Sequence, residues 1–193
     1  MLNKLKIQSG IFKGKSLISP SNSTTRSTKS IVQDSFFDTI RDELRAKNFI
    51  EVFGGSGIMA ATALSNGANH AYAIEIDKSA YKILSNNFAL LNSDKITALF
   101  GNSLQITPNL ISKNAEKSVI LYIDPPFNTR ENFTNIYEQI WQMLDILDKN
   151  KIYLVVIEHI SSYDPPQTNG DFIKFKSKKF GKTTLSYFKV IDD

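Results

Sequence analysis

The chain has 193 residues but no cysteine, and histidine occurs only at His70 and His159. Without thiols it cannot form disulfides, a thiolate zinc site or a cysteine nucleophile. Two isolated imidazoles argue against a histidine-rich metal centre or a Ser-His-Asp triad, so we expect no bound metal. The absence of thiol chemistry fits a reducing compartment, and we expect a cytoplasmic protein.

Long hydrophobic runs are also missing. No segment approaches the ~20 consecutive apolar residues that a membrane-spanning helix needs. The first ten residues carry Lys4 and Lys6 without the apolar block of a signal peptide. We therefore expect neither secretion nor contact with a membrane. A chain of this length, 41% hydrophobic, suffices for one well-buried unit and is too short for two large domains.

Acidic residues are absent from residues 1–33, which hold six of the 23 basic side chains, whereas the net charge of the whole chain is only +4. Such a local excess is typical of surfaces that contact phosphate backbones, although lysine clusters are also found as ordinary solvated surface. The six are Lys4, Lys6, Lys13, Lys15, Arg26 and Lys29, and a second cluster near the C-terminus consists of Lys174, Lys176, Lys178, Lys179 and Lys182.

From residue 49 onward, short apolar runs alternate with longer helical patterns, which predicts an α/β fold with a mostly parallel sheet. Two later apolar runs, 172–175 and 185–191, predict an antiparallel pair added to that sheet. The strands are expected at 49–53, 70–76, 96–100, 119–123 and 152–158. The helices are expected at 57–66, 78–91, 103–112 and 132–147.

An extension precedes this pattern. Its hairpin strands are expected at 5–7 and 16–18. A helix follows, because apolar residues recur every four positions and Thr28 is placed to cap it. Those apolar residues are Val32, Phe36, Ile40 and Leu44. The Ser/Thr-rich loop between hairpin and helix, 19–30, is either a substrate-contacting arm or an ordinary connector.

A glycine-rich turn, Gly54-Gly55-Ser56-Gly57, leads from the strand 49–53 into a helix. Glycine lets a ligand approach the backbone closely, and the first N–H groups of the helix are available to bind it. Gly55-x-Gly57-x-x-Ala60 also satisfies the dinucleotide fingerprint, and Glu75 at the end of the next strand is placed to accept hydrogen bonds from a ribose. Together these features predict a nucleoside cofactor.

A second motif, Asp124-Pro125-Pro126-Phe127, follows the buried strand 119–123. The two prolines fix the backbone, so Asp124 is presented rigidly at the carboxyl edge of the sheet. Its carboxylate and the Pro125 carbonyl can accept both N–H groups of an aromatic exocyclic amine, while Phe127 supplies a stacking face. The motif therefore favours chemistry on a nucleobase amine.

The order of glycine turn, acidic strand end and Asp-Pro-Pro-Phe resembles S-adenosylmethionine-dependent amino-methyltransferases. Flanking motifs over nearly the whole chain are similar to those of the RsmD family of 16S rRNA (guanine-N2) methyltransferases. These motifs are Gly10-Ile11-Phe12-Lys13-Gly14-Lys15-Ser16-Leu17, Thr25-Arg26-Ser27-Thr28, Val32-Gln33-Asp34-Ser35-Phe36-Phe37, Phe53-Gly54-Gly55-Ser56-Gly57 and Ala63-Leu64-Ser65-Asn66-Gly67-Ala68. The resemblance implies a Rossmann-like methyltransferase fold with a mostly parallel seven-stranded sheet, an antiparallel C-terminal strand and an N-terminal hairpin and helix.

The resemblance also implies an activity: methyl transfer from S-adenosylmethionine to the N2 amine of guanine 966 of 16S rRNA, in the 30S subunit. It implies an RNA-contacting extension, 1–48, and a catalytic domain, 49–193, and we expect a monomer. The implied catalytic residues are Asp124, Pro125, Pro126 and Phe127. The implied cofactor-binding residues are Glu51, Phe53, Gly54, Gly55, Ser56, Gly57, Glu75, Ile76, Asn102 and Ser103. The implied RNA-binding residues are Lys13, Lys15, Arg26, Thr28 and Lys29.

Three residues depart from the family pattern. Glu51 stands where an Asp is usual, and Ser27 replaces the proline of an Arg-Pro-Thr motif. Asn102 occupies the place of an Asp that contacts adenine. Because Glu51 keeps a charge near the methionyl amine and Asn102 still offers an amide oxygen, we expect weaker cofactor affinity rather than lost activity.

Three other functions remain open. An adenine-N6 nucleic-acid methyltransferase would use a similar Pro-Pro-aromatic loop, although the N-terminal motifs argue against it. An NAD-dependent oxidoreductase would use the glycine fingerprint, but the chain leaves no room for a substrate domain. A non-catalytic rRNA-binding assembly factor is suggested by Asn102 alone, and the intact Asp124 argues against it.

Overall fold

The computed structural model describes residues 3–20, 26–115, 118–126 and 133–191, with their side chains except at 26–29 and 133–135. None of the helices in these ranges is long and apolar enough to cross a membrane. The helices are α1 (Arg26–Thr39), α2 (Ile58–Ser65), α3 (Lys78–Ala89), α4 (Ser103–Ser112) and α5 (Phe133–Asp145), with a 3-10 turn at Lys149–Lys151. The strands are β1 (Lys4–Lys6), β2 (Ser16–Ile18), β3 (Asn48–Glu51), β4 (His70–Glu75), β5 (Ile96–Phe100), β6 (Val119–Ile123), β7 (Ile152–Ile160), β8 (Thr168–Asn169), β9 (Phe172–Phe180) and β10 (Thr183–Val190).

The main sheet has the strand order β5-β4-β3-β6-β7-β10-β9-β8, and β1 pairs with β2 in a separate hairpin. The first five strands of the main sheet run parallel, and the last three pair antiparallel. This confirms the predicted α/β fold with a mostly parallel sheet and an antiparallel C-terminal addition. Over the described residues the sheet has eight strands rather than seven, because the two-residue β8 pairs with the outer edge of β9.

Strand β9 is longer than the predicted run of 172–175. Its second half alternates exposed with half-buried positions, several of them lysine, so the apolar run stops well before the backbone pairing does. Gly181, with a φ of 63°, turns the chain back, and pairing with β10 starts between Phe180 and Thr183.

Helix α1 begins at Arg26, two residues earlier than the predicted cap Thr28, which therefore lies in its first turn. The helix ends at Thr39, although the four-residue apolar spacing continues through Ile40 and Leu44. Both of these side chains are buried. Because the turns after the helix also pack on the core, the apolar spacing predicts a longer helix than the one that forms.

Helices α1, α2 and α3 cover one face of the sheet, and α4 and α5 cover the other. On the first face, Phe36 of α1 meets Tyr122 of β6 edge-on at a ring-centroid distance of 4.9 Å. On the second, Trp141 of α5 meets Phe188 of β10 edge-on at 5.3 Å. Because the central strands are buried from both sides, the residues at their carboxyl ends are held in a fixed arrangement.

The β1–β2 hairpin is anchored to α2 and α3 by two polar side chains. The Ser65 hydroxyl accepts a hydrogen bond from the Phe12 N–H at 2.9 Å and donates to the Ser9 carbonyl at 2.6 Å. The buried Asn87 side chain accepts from the Ile18 N–H and donates to the Ile18 carbonyl, both at 2.9 Å. The predicted extension therefore packs directly on the helices that flank the glycine turn.

Candidate functional site

Three segments meet at the carboxyl edge of the parallel strands: the glycine turn 54–57 after β3, Glu75 at the end of β4, and Asp124 after β6. Strand β3 pairs in parallel with both β4 and β6, so the three strand ends lie side by side. Ligands of open α/β sheets bind at this edge. The two motifs that the sequence singles out therefore lie together at this edge.

Gly57 is the most crowded glycine of the turn. Its φ is 75°, and a Cβ there would lie 2.4 Å from both Leu84 Cδ1 and Phe88 Cε1. Gly55 also has a positive φ, of 49°, but no heavy atom would lie within 4 Å of its Cβ. The turn is therefore packed tightly against α3 at Gly57 and open at Gly55.

Asn87, which is not among the predicted site residues, also holds the turn. Its Nδ2 donates to the Ser56 carbonyl at 2.8 Å, in addition to its bond with Ile18. The signal was the second amide of Asn86-Asn87, which helical spacing places on the apolar face that carries Leu84 and Leu91. A polar residue at such a position is expected to hydrogen-bond, because an unpaired buried amide is costly.

Two backbone amides fix the half-buried Glu75 carboxylate. Oε2 accepts from the Gly55 N–H at 2.9 Å, and Oε1 accepts from the Asp77 N–H at 2.8 Å. Because each carboxylate oxygen has two lone pairs, these bonds leave Glu75 with the capacity to accept from ribose hydroxyls. The carboxylate is thus oriented before any ligand binds.

Glu51 is 5% exposed, and its Oε2 accepts from the Ala60 N–H at 2.9 Å. Ala60 lies in the first turn of α2, where N–H groups have no partner within the helix. Glu51 therefore caps α2 from the neighbouring strand, at the end of the helix where the dipole stabilises a negative charge. Phe53, the next predicted cofactor residue, is half-buried and packs against the core on the other face of the sheet, which α4 and α5 cover.

The ends of β4 and β5 add an apolar surface to the edge. Ile76 is 62% exposed and Phe100 is 53% exposed. The exposed Asn102 caps α4, since its Oδ1 accepts from the Leu104 N–H at 3.0 Å, while Ser103 is buried in the first turn of that helix. The predicted residues Ile76 and Asn102 therefore both lie at the carboxyl edge.

Asp124 is half-buried directly after β6, Pro125 is buried, and Pro126 is exposed. Phe127, the fourth predicted catalytic residue, lies outside the described residues. Over the described ranges no group of three or more His, Asp or Glu side chains is placed to hold a metal ion.

A buried pair next to Asp124 was not foreseen. Tyr122 of β6 donates from its hydroxyl to Oε2 of Glu158 in β7. Burial first, and then the negative charges of Glu158 and Asp124, raise the pKa of the Tyr122 hydroxyl well above its usual value. The phenol therefore keeps its proton and remains a donor. The sequence signal was an acid that ends the apolar run 152–157.

The predicted RNA-binding lysines Lys13 and Lys15 are exposed in the hairpin turn. Lys15 donates to the Leu90 carbonyl at 2.9 Å, just beyond the end of α3, and Phe12 binds Ser65 at the end of α2. The turn therefore lies at the C-terminal ends of these two helices and not at the edge with Asp124. The other three predicted RNA-binding residues are Arg26, Thr28 and Lys29. The structure describes only their backbone, which lies in the first turn of α1.

Residues 5–189 match the family described as Conserved hypothetical protein 95. The chain belongs to this family. YlbH of Bacillus subtilis (strain 168), provisionally named an rRNA methyltransferase, is 23% identical over 189 residues, which cover 96% of this chain and 98% of that protein. Ribosomal RNA small subunit methyltransferase D of Escherichia coli (strain K12) is 28% identical over 127 residues, 64% of this chain and 61% of that protein. These relatives confirm the resemblance to the RsmD family.

Two solved structures show the same fold. YhhF from Escherichia coli, provisionally named a methyltransferase, has a TM-score of 0.77 at 19% identity and covers 99% of this chain and 100% of that chain. SMU.776, also provisionally named a methyltransferase and solved in complex with SAH, has a TM-score of 0.63 at 14% identity. It covers 92% of this chain and 54% of that chain. The fold is the predicted Rossmann-like methyltransferase fold.

The glycine turn predicts a difference in stability between two similar substitutions. Gly55→Ala introduces a methyl group at a positive φ in open space, which costs about 1 kcal/mol. Gly57→Ala adds overlap with Leu84 and Phe88, so we expect a further loss of about 1–3 kcal/mol. Urea unfolding without cofactor measures both. Equal losses would show that contact with α3 does not restrict Gly57.

Proposed function

We propose that the chain transfers a methyl group from S-adenosylmethionine to the N2 amine of a guanine in 16S rRNA. The observation that carries this proposal is the placement of Asp124 and Pro125 beside the glycine turn and Glu75, at one edge of the sheet. A nucleobase amine and a nucleoside cofactor would thereby bind next to each other. Relatives named as small-subunit rRNA methyltransferases support the substrate class, and the RsmD resemblance supports guanine 966 in the 30S subunit.

The residues at the edge fit S-adenosylmethionine. Glu75 would accept from the ribose hydroxyls, and the turn 54–57 with Glu51 would hold the amino-acid end. The exposed Ile76 and Phe100 would pack against the adenine ring, which covers apolar surface that otherwise faces water. When bound, the cofactor supplies an electrophilic methyl group. The fold shared with a structure that contains SAH supports the same choice.

Asp124 and Pro125 would activate the target amine. An aromatic amine is a weak nucleophile, because its lone pair is delocalised into the ring. Accepting both N–H groups would direct that lone pair out of the ring plane and toward the methyl donor. Asp124 would also take the proton that the nitrogen releases when it gains the methyl group. The buried strand on one side and the prolines on the other fix Asp124 before substrate binds.

The target guanine must leave its stack, at a cost of a few kcal/mol that its contacts with Asp124 and Phe127 would offset. We propose that residues 49–193 carry the chemistry and that residues 1–48 contact RNA. Since the hairpin turn lies away from Asp124, its lysines would bind phosphates at a distance from the target nucleotide. The proposed contacts are Lys13, Lys15, Arg26, Thr28 and Lys29.

The deciding experiment is incubation with labelled S-adenosylmethionine and 30S subunits from cells that lack this protein, followed by mapping of the labelled nucleotide. We expect label on the N2 of one guanine. Label on an adenine N6 would assign the other amino-methyltransferase class. Binding to 30S subunits without transfer would indicate an assembly factor, and a thermal shift with NAD but not with SAH would indicate an oxidoreductase.

For Asp124→Ala we expect the rate of methyl transfer to fall by roughly 10²–10³, because a transition-state acceptor is lost. The SAH affinity should stay within a few fold, since the proposed cofactor contacts come from the ends of β3, β4 and β5. Asp94→Ala, which removes an exposed carboxylate before β5, is the matched control and should change neither quantity. A loss below tenfold in folded Asp124→Ala protein would remove Asp124 from the mechanism.

Asn102→Asp should tighten cofactor binding. The single Oδ1 of Asn102 already accepts from the Leu104 N–H, and the same atom would have to accept from the adenine amine. An aspartate has a second oxygen for the adenine, so we expect about tenfold tighter SAH binding, the lower end for a hydrogen bond to a charged acceptor. Calorimetry measures the Kd of SAH. The control for added charge is Asn109→Asp, at an exposed position of α4. An unchanged Kd in Asn102→Asp would place the adenine elsewhere.

Replacing Lys13 and Lys15 by Gln should weaken 30S binding without changing SAH affinity. If both lysines contact phosphates, the slope of log K against log salt should become shallower by about 1.4–1.8, because each contact contributes about 0.7–0.9. The control replaces Lys113, which is exposed after α4 on the other face of the sheet, and Lys189, which is exposed in β10. Equal slopes for the wild-type protein and the Lys13/Lys15 variant would show that the turn is only solvated surface.

A further inference from the structure

Glu158 is a buried acid at the ligand-binding edge of the sheet that the chemistry above does not use. It lies near the end of β7 and is 9% exposed. Its Oε2 accepts from the hydroxyl of the fully buried Tyr122. Burying a carboxylate is costly even when it is hydrogen-bonded, so its position next to the catalytic motif calls for a functional explanation.

The parallel register sets Glu158 beside Asp124. Strands β6 and β7 pair Tyr122 with Val156 and Ile123 with Ile157. Continued by one residue, this register puts Asp124 opposite Glu158, and the alternation of side chains puts both on the face of Tyr122. The negative charges of both residues act on the Tyr122 hydroxyl, which agrees with this placement. Two carboxylates are therefore neighbours at the edge where the base would bind.

Two neighbouring acceptors match one edge of guanine. Guanine carries an N1–H donor directly beside its N2 amine, so both groups donate. Adenine has an acceptor at N1 beside its N6 amine, and a carboxylate would repel that lone pair. A pair of carboxylates therefore selects guanine through an attractive contact and rejects adenine through a repulsive one.

We propose that Glu158 is a specificity-determining residue that accepts the N1–H of the target guanine while Asp124 holds the N2 amine. This inference rests on the proposed methylation of a base amine and adds the contact that chooses the base. A carboxylate has about four lone-pair positions, so the bond from the Tyr122 hydroxyl does not exhaust the acceptor capacity of Glu158. That hydroxyl fixes the orientation of Glu158, and Tyr122 is thus a positioning residue.

The test uses 30S subunits reconstituted with 16S rRNA that carries 2,6-diaminopurine in place of the target guanine. This base keeps the N2 amine but presents an acceptor at N1. For the wild-type protein we expect kcat/KM to be about 100-fold higher for guanine, because a site built to accept a hydrogen bond discriminates strongly against an analogue without the donor. An equal kcat/KM for the two bases would overturn the inference.

In Glu158→Gln, the amide oxygen can still accept from Tyr122 while the amide N–H groups can donate to N1 of diaminopurine. We expect the guanine-to-diaminopurine ratio to fall at least tenfold, with SAH affinity unchanged. Glu138→Gln, an exposed site on α5, is the matched control and should keep the wild-type ratio. A purely structural Glu158 would lower both rates together, and an unchanged ratio would therefore overturn the inference.

A second variant tests the same proposal in case Glu158→Gln does not fold. Tyr122→Phe keeps the ring in the core and the carboxylate at the edge, but it removes the hydroxyl that orients Glu158. We expect its ratio to fall at least threefold, and the wild-type ratio in this folded variant would contradict the proposal. If the wild-type protein methylates neither substrate, the proposed function itself is wrong. Transfer to guanine without discrimination at N1 leaves the function standing and removes only the role of Glu158.

Discussion

The geometry of the candidate site depends on the parallel register of β3, β6 and β7. In that register Glu51, Tyr122 and Val156 form one row across the three strands. A slip of one residue in β6 or β7 would turn its acid at the carboxyl edge to the opposite face of the sheet. Because both faces are buried, such a slip would also misplace the core residues of that strand. The precision of the site therefore comes from the packing of the core and not from the loops that carry the motifs.

The three glutamates of the site share a second property, since each accepts a hydrogen bond from a protein donor. Glu51 accepts from a helix amide, Glu75 accepts from two loop amides, and Glu158 accepts from Tyr122. These bonds orient the carboxylates while the protein folds, so a ligand does not have to order them. The resulting edge is rich in fixed acceptors, which suits ligands that present donors: ribose hydroxyls, an ammonium group and a nucleobase amine.

The sequence predicted those parts of the site that are local along the chain. The glycine turn and Asp124 each follow a buried strand and Glu75 ends one, so periodicity and turn chemistry suffice to place them at one edge. The bounds of α4 agree with the prediction for the same reason, since Asn102 is a strong cap.

What the sequence did not predict depends on pairing between distant segments. Asp124 and Glu158 are neighbours because of the β6–β7 register, and hydrophobic periodicity along the chain does not predict that register. Asn87 could be recognised as an unusual residue in an apolar face, but its partners lie in a hairpin and a turn 69 and 31 residues away. The same limit explains β9, whose length is set by pairing with β10 rather than by its own apolar residues.

Contacts between distant segments also tie the N-terminal extension to the core: Gln33 donates to Thr62 at 2.7 Å in a buried site, and Phe36 packs on Tyr122. The boundary at residue 48 therefore separates two proposed roles and does not separate two packing units. An RNA contact made by the extension would be held at a fixed distance from Asp124, because the same core orients the carboxylates.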